Sequence, residues 1–272
     1  MSALPGEERT VRQVRCLEDR ASTVVNGVRV DPTSPQGLLQ AVGAFLGCGE
    51  AHVVHFLAAD PTVRARKDLG YREVLNRGDL NVPDGAGVAW AMRMGGQTAR
   101  RLPGTEGMHL IARWGLERSL SHYLYGGSPR TLSATVRTLE RSHPGIRIVC
   151  AESPPFRPLS DRELVGAADR MRSSGADVVW VGLGTPKQDV VAERLRQLGA
   201  APVIACVGAA FDFVGGTKRR APVWMQRAGL EWLHRLGSEP SRLWRRYLVG
   251  NPLFVAGVLR DRAAIRSGRV AP

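Results

Sequence analysis

Short β-branched runs alternating with longer amphipathic segments constrain this chain more than any other feature of its sequence. The runs are HVVHF (52–56), DLNVP (79–83), HYLYG (122–126), IRIVCA (146–151), DVVWVGLG (177–184) and PVIACVG (202–208). Segments near 61–76, 86–95, 105–118, 129–142, 160–173 and 187–198 carry apolar residues at helical spacing. Apolar runs of strand length are buried on both faces, which requires helices packed above and below a sheet. The alternation therefore predicts an α/β layered domain on a mostly parallel sheet, over residues 23–216. Near its start, VVNGVRVD (24–31) predicts a hairpin turning at Asn26-Gly27, and SPQGLLQAVGAFLG (34–47) predicts a helix. Residues 1–22 are polar and read as a flexible extension. Residues 217–272 read as a basic, aromatic-rich helical appendage.

Ligands of open parallel sheets collect beyond the carboxyl ends of the strands. The glycine-rich turns PDGAG (83–87), GGSP (126–129), GLGTPKQ (182–188) and GAAFD (208–212) all fall at such ends. Asp84 stands where a strand hands over to a helix, and two readings are open there: a helix N-cap or a catalytic carboxylate. Ser128 and Pro129 occupy N-cap and N1 positions, which capping alone explains, yet the free amides of that terminus also suit a diphosphate. In GLGTPKQ, two glycines lead to Thr185 and Pro186 at a helix start, with Lys187 and Gln188 in the first turn. This is neither GxGxxG nor a P-loop. The helix dipole disfavours a lysine at that end, and either a bound phosphate or plain solvent exposure would offset the cost. Arg101, in RRLPGTE (100–106), is a candidate cation for a diphosphate or an ordinary surface charge.

The chain has 272 residues, 43% apolar and 23% charged, as soluble globular proteins do, but its formal net charge is +13. Such an excess predicts an anionic partner: nucleic acid, an anionic membrane face or a phosphorylated substrate. Arginines concentrate after Lys218, where Trp224, Met225, Ala228, Trp232, Leu233 and Leu236 recur at helical spacing. Arg227, Glu231 and Arg235 share a neighbouring face at i, i+4. Arginine beside tryptophan suits nucleic acid, an anionic membrane surface, or a helix packed on its own domain. Cys16, Cys48, Cys150 and Cys206 are scattered and read as reduced residues of a cytoplasmic protein. No DxD pair and no His/Asp/Glu group at metal-ligand spacing occurs, so no divalent metal or other cofactor is expected. Helix N-termini and arginines would then have to neutralise a bound diphosphate. The N-terminus lacks a signal-peptide apolar region, and no run approaches the roughly 20 apolar residues of a membrane span.

Taken in order, NVPDGAGVAWAMR, RLPGTEGM, GGSP, DVVWVGLGTPKQD and GAAFDFVGGTKRRAPVWMQRAGLEWLHRL resemble the bacterial WecG/TagA/CpsF glycosyltransferase family, from about residue 24 to 259. The resemblance implies a Rossmann-like α/β domain with a C-terminal helical appendage. It implies an inverting, metal-independent hexosyltransferase of cell-surface polysaccharide biosynthesis, peripheral to the cytoplasmic face of the plasma membrane. The donor would be a UDP-sugar (N-acetylmannosamine-type, glucose or a uronic acid) and the acceptor a polyprenyl-diphosphate-linked saccharide. Nucleic acid is not an expected partner, and oligomerisation is compatible with the family. Carried over by position, Asp84 matches the family's proposed general base, Arg101 an arginine near the active site, and Gln188 a glutamine of the donor loop. The donor side would comprise Gly85, Arg101, Gly127, Ser128, Gly182, Gly184, Thr185, Pro186, Lys187, Gln188 and Asp212. Arg219, Arg220, Arg227, Trp232 and Arg235 would face the lipid acceptor or membrane. The resemblance breaks after the first strand run, where Phe56, Ala58 and Asp60 replace a Thr-x-Asn-x-Glu-like pattern, and Glu106 stands where an aspartate is common. The missing threonine and asparagine motivate a second reading: a catalytically impaired nucleotide-sugar-binding or scaffold protein of the same fold.

Overall fold

The computed structural model describes residues 22–267, so the extension expected over 1–22 lies outside the described residues apart from Ser22. β1 (Thr23–Val25) and β2 (Val28–Val30) form the antiparallel hairpin, with Asn26 and Gly27 at φ 55° and 81°, as a two-residue I′ turn requires. β3 (His52–Leu57), β4 (Leu80–Pro83), β5 (Ser121–Gly126), β6 (Arg147–Glu152), β7 (Val178–Gly182) and β8 (Val203–Cys206) form one sheet. Its order is β4-β3-β8-β7-β5-β6, and every pairing is parallel. The period of two along each strand sorts the core. Val54, Phe56, Trp180 and Ala205 pack with α1 (Pro35–Leu46), α5 (Gly104–Leu116) and α6 (Pro129–Ser142). Val53, Val179, Val181 and Ile204 pack with α7 (Asp161–Ser173) and α8 (Lys187–Gln197). The layered α/β expectation is met.

Three helical expectations are corrected. The segment 61–76 is two helices, α2 (Ala59–Lys67) and α3 (Leu69–Asn76). Asp68 adopts φ −119° and ψ 102°, and its carboxylate caps the second helix by accepting from the Tyr71 amide. The GLGTPKQ helix, α8, begins at Lys187 rather than Thr185, with Pro186 at the cap after a cis Thr185–Pro186 bond. The helical spacing of Trp224 through Leu236 does not run through one helix either. It divides into α10 (Val223–Arg227) and α11 (Glu231–Ser238), so Arg227 and Glu231 share no continuous face. Gly229, at φ 72°, turns the chain, and the Leu230 amide closes back on the Met225 carbonyl at 2.8 Å.

The remaining elements are α4 (Ala86–Met94), α9 (Ala210–Val214), α12 (Pro240–Trp244), a π turn (Arg245–Val249) and α13 (Gly250–Arg266). The last helix returns to the α/β domain. Phe254 and Val258 are buried in the cluster that contains Val28, Leu57, Val88 and Met92. Each such side chain contributes about 1.5–3 kcal/mol by leaving water. Arg66 of α2 donates to the Gly257 carbonyl and the Asp261 carboxylate, the latter at 2.7 Å. Gly257 permits the close packing of α13 on the β1–β2 turn, since a Cβ there would lie 1.8 Å from Asn26 Oδ1. Fastening α13 to the β1–β2 and α2 side carries the intervening segments over the carboxyl ends of the strands.

Candidate functional site

A cleft of about 1440 Å³ opens at those carboxyl ends. Its floor comes from residues that directly follow strands: Ala58 after β3, Asp84 after β4, Gly127 and Ser128 after β5, Leu183 and Gly184 after β7, and Val207 and Gly208 after β8. Gly126 ends β5 at φ 134°, and a Cβ there would lie 2.5 Å from the Gly182 carbonyl oxygen. Only glycine lets the two central turns approach this closely.

Asp84 is held by its backbone. Its amide donates to the Leu57 carbonyl at 2.9 Å, and its carbonyl accepts from Arg101 Nε at 2.7 Å. The N-cap of α4 is Gly85, with no side-chain cap bond, so Asp84 does not cap its helix. Its carboxylate lines the cleft and receives no hydrogen bond from any described residue. Burial pushes this carboxyl up to about 6. Arg101, Arg235 and Arg220 pull it down, and Glu231 pushes it up. A carboxylate of this kind is ionised near neutrality yet more basic than a solvated aspartate, which suits proton abstraction.

Across the cleft, Ser128 caps α6 by accepting from the Thr131 amide at 3.1 Å. Thr131 and Thr217 donate from their hydroxyls to Asp212, and Lys218 pairs with the same carboxylate at 3.3 Å. Gly182, Gly184 and Thr185 also line the cleft. In α8 the amides of Gln188 and Asp189 are engaged by the Gly184 and Pro186 carbonyls, so this terminus offers fewer free donors than the GLGTPKQ pattern suggested. Lys187 turns to the rim, where its ammonium donates to the Pro155 and Arg157 carbonyls. It thus pins the proline-rich rim 153–158, an arrangement that sequence reading missed. Gln188 is buried, and its Oε1 has no partner among the described residues. An amide left unsatisfied at the cleft wall suits a ligand donor.

Directly below, the next residue of α8 enters a buried network. Asp189 Oδ1 lies 3.0 Å from His55 Nδ1, and Asp189 Oδ2 accepts from the Tyr71 hydroxyl at 2.6 Å. Cys206 lies beside them, with the ligating atoms of His55, Asp189 and Cys206 within 4.8 Å of one another. No metal-ligand spacing is visible along the chain, because the fold assembles this group from β3, α8 and β8. Asp189 is already committed to His55 and Tyr71.

The appendage closes the far wall. Arg101 pairs with Glu231 of α11 at 2.5 Å, Lys218 with Glu239 at 3.0 Å, and Arg246 with Asp60 at 3.9 Å. Arg220, Trp232, Arg235 and Tyr247 line the cleft with them. Arg219 is exposed away from it, Pro186 is likewise exposed and outside the lining, and the Arg227 side chain lies outside the described residues. Glu231, Arg242, Arg246 and Asn251 also line the cleft but were not among the expected site residues, because only tertiary packing shows which side chains of the appendage turn toward the sheet. Exposed apolar side chains concentrate on the same appendage, Trp224 at 64% and Leu248 at 57% among them. Among the described residues no helix is long and apolar enough to cross a membrane.

The model of the Glycosyl transferase WecG/TagA/CpsF family matches residues 23–268. A Bacillus spizizenii protein named N-acetylglucosaminyldiphosphoundecaprenol N-acetyl-beta-D-mannosaminyltransferase is 29% identical over 211 residues, covering 76% of this chain and 79% of the relative. A Bacillus subtilis protein of the same name is 30% identical over 198 residues, covering 72% and 75%.

Proposed function

The chain belongs to the WecG/TagA/CpsF glycosyltransferase family, and we propose that it moves a sugar from a UDP-sugar to a polyprenyl-diphosphate-linked saccharide with Asp84 as general base. The names of the two relatives support an N-acetylmannosamine-type donor and an N-acetylglucosaminyl-diphosphate-lipid acceptor. Asp84 takes the proton of the acceptor hydroxyl as that oxygen bonds to the anomeric carbon. The bond from that carbon to the diphosphate breaks, and its electron pair leaves on UDP. A single displacement of this kind inverts the anomeric centre. The α6 terminus at Ser128, with the cleft arginines, offsets charge growing on the diphosphate without a divalent ion. The observation that carries the reading is the Asp84 carboxylate, unpaired among the described residues, in a cleft that Arg101, Lys218, Arg220, Arg235 and Arg246 also line.

The testing experiment is an assay of UDP-sugars against a synthetic N-acetylglucosaminyl-diphosphate lipid in excess EDTA. Turnover that EDTA leaves unchanged is expected with at least one donor. Calorimetric binding without turnover across the panel would instead support the impaired-scaffold reading motivated by Phe56 and Ala58.

The exposed apolar side chains and arginines of the appendage fit the surface of an anionic bilayer at the cytoplasmic face. Replacing Trp224, Leu248 and Val249 with serine should lower binding to phosphatidylglycerol vesicles by about tenfold or more, by loss of apolar burial. Unchanged flotation with such vesicles would place the membrane contact elsewhere. Deleting the appendage would be a poorer test, because Phe254 and Val258 belong to the core.

A further inference from the structure

Arg101 is a cation beside the base that makes no ion pair with it. Its Nε is spent on the backbone carbonyl of Asp84, and its Nη2 lies 2.5 Å from Glu231 Oε2. Both members of that pair are mostly shielded, at 22% and 15% side-chain exposure, so the pair sits in the cleft wall rather than in open solvent. A guanidinium with a second carboxylate within reach will join it, because bidentate and charge-assisted bonds are the strongest it can make. Here the carboxylate that takes it belongs to the appendage, and the Asp84 carboxylate is left without a partner among the described residues.

We propose that Glu231 is a positioning residue that holds the Arg101 guanidinium off the Asp84 carboxylate and so keeps the base free. Glu231 acts through Arg101 and touches no reacting atom. Because Glu231 lies on α11, docking of the appendage and the strength of the base are the same event. An enzyme whose appendage is displaced would have Arg101 free to pair with Asp84 and a weakened base. The inference rests on Asp84 being the base, and it adds the control of that base to the reading above.

The charged groups facing Asp84 are Arg101 from the loop before α5, Glu231 and Arg235 from α11, and Arg220 from the segment before α10. In Glu231→Gln the negative charge is lost and Arg101 is released, and both changes favour ionised Asp84. The experiment is a ¹³C-carboxyl NMR titration of Asp84 in the full chain without substrates, its signal assigned by its absence in Asp84→Asn. The midpoint in Glu231→Gln should fall by about one pH unit or more relative to the parent. In Arg101→Met/Glu231→Gln it should return to the parental value or rise above it, because Arg101 lowers Asp84 more than Glu231 raises it and both charges are then gone.

In turnover, Glu231→Gln should move the acid limb of kcat downward in pH and lower the plateau several-fold, with the donor KM unchanged. A titration midpoint that stays at the parental value in Glu231→Gln would overturn the proposal, whatever happens to the rate. So would a midpoint that falls equally in the single and double variants. If Glu231→Gln does not fold, Glu231→Asp keeps the charge but shortens the reach, and its midpoint should lie between parent and the predicted fall; a parental midpoint there, with the Arg101 pair lost, would overturn the proposal as well. Failure of the general reading looks different: turnover would survive in Asp84→Asn, or be absent from the parent.

Discussion

Asp84→Asn is expected to lower sugar transfer by about 10²–10⁴-fold while leaving UDP-sugar affinity unchanged, because an amide fills the same space but cannot accept the acceptor proton. The substitution also separates the two readings that the local sequence allowed. Asparagine caps a helix about as well as aspartate, so a capping role predicts almost no effect. In the structure Gly85 occupies the cap position, and the Asp84 carboxylate is free to face the cleft. Folding should not suffer. A carboxyl whose folded value is raised from 3.8 to about 6 favours the folded state while protonated, and that contribution is lost as pH rises through this window. Above about pH 6 the ionised form is therefore a cost, and the asparagine variant should be more stable than the parent at pH 8, by on the order of 1–2 kcal/mol. Calorimetry for the donor, a transfer assay and thermal unfolding at pH 8 check the three parts separately. Loss of transfer accompanied by a lower Tm would point to damage rather than to a missing base.

The largest stability effect is expected at Asp189, which is 2% exposed and holds both His55 and Tyr71. Asp189→Ala leaves a buried imidazole and a buried phenol without their acceptor and should cost about 3–5 kcal/mol. For a chain of this size that is a fall in Tm of roughly 10 °C. Tyr71→Phe removes one bond and leaves the histidine contact in place, so its cost should be smaller, about 1–3 kcal/mol. Urea unfolding of the two variants beside the parent measures both. The functional consequence follows from position: Asp189 is in the first turn of α8, directly after Gln188, and anchors that turn to β3 and α3. A cost below 1 kcal/mol for Asp189→Ala would mean that the network does not anchor the turn.

The strand–helix alternation, the hairpin and the location of the cleft were legible in the sequence because each rests on local chemistry. β-branched runs, Asn26-Gly27, and glycine-rich turns at strand ends act within a few residues. Helix boundaries were less legible where a single residue overrides an otherwise continuous pattern. Asp68 stops one helix and caps the next, and Gly229 turns a helix whose apolar spacing reads as unbroken. The third kind of information was absent from any local window. Arg101 finds Glu231, Arg66 finds Asp261, and Asp189 finds His55 and Tyr71, all through packing of distant elements. Lys187 shows the same limit, since its place in the first turn left a bound phosphate and plain solvent exposure both open, while the structure gives its ammonium to two rim carbonyls. Phe56 and Ala58 line the cleft as apolar surface, so the departure from the family pattern falls within the site itself.

On the proposed mechanism, a free Asp84 carboxylate takes the acceptor proton. The most direct measurement is the pH dependence of kcat/KM for transfer to a lipid-linked acceptor, in the parent and in Asp84→Asn. The parental rate should fall about tenfold per pH unit below an inflection near 6, and the residual Asp84→Asn rate should lack this limb. A parental rate that is flat through that region, or the same inflection surviving in Asp84→Asn, would contradict it.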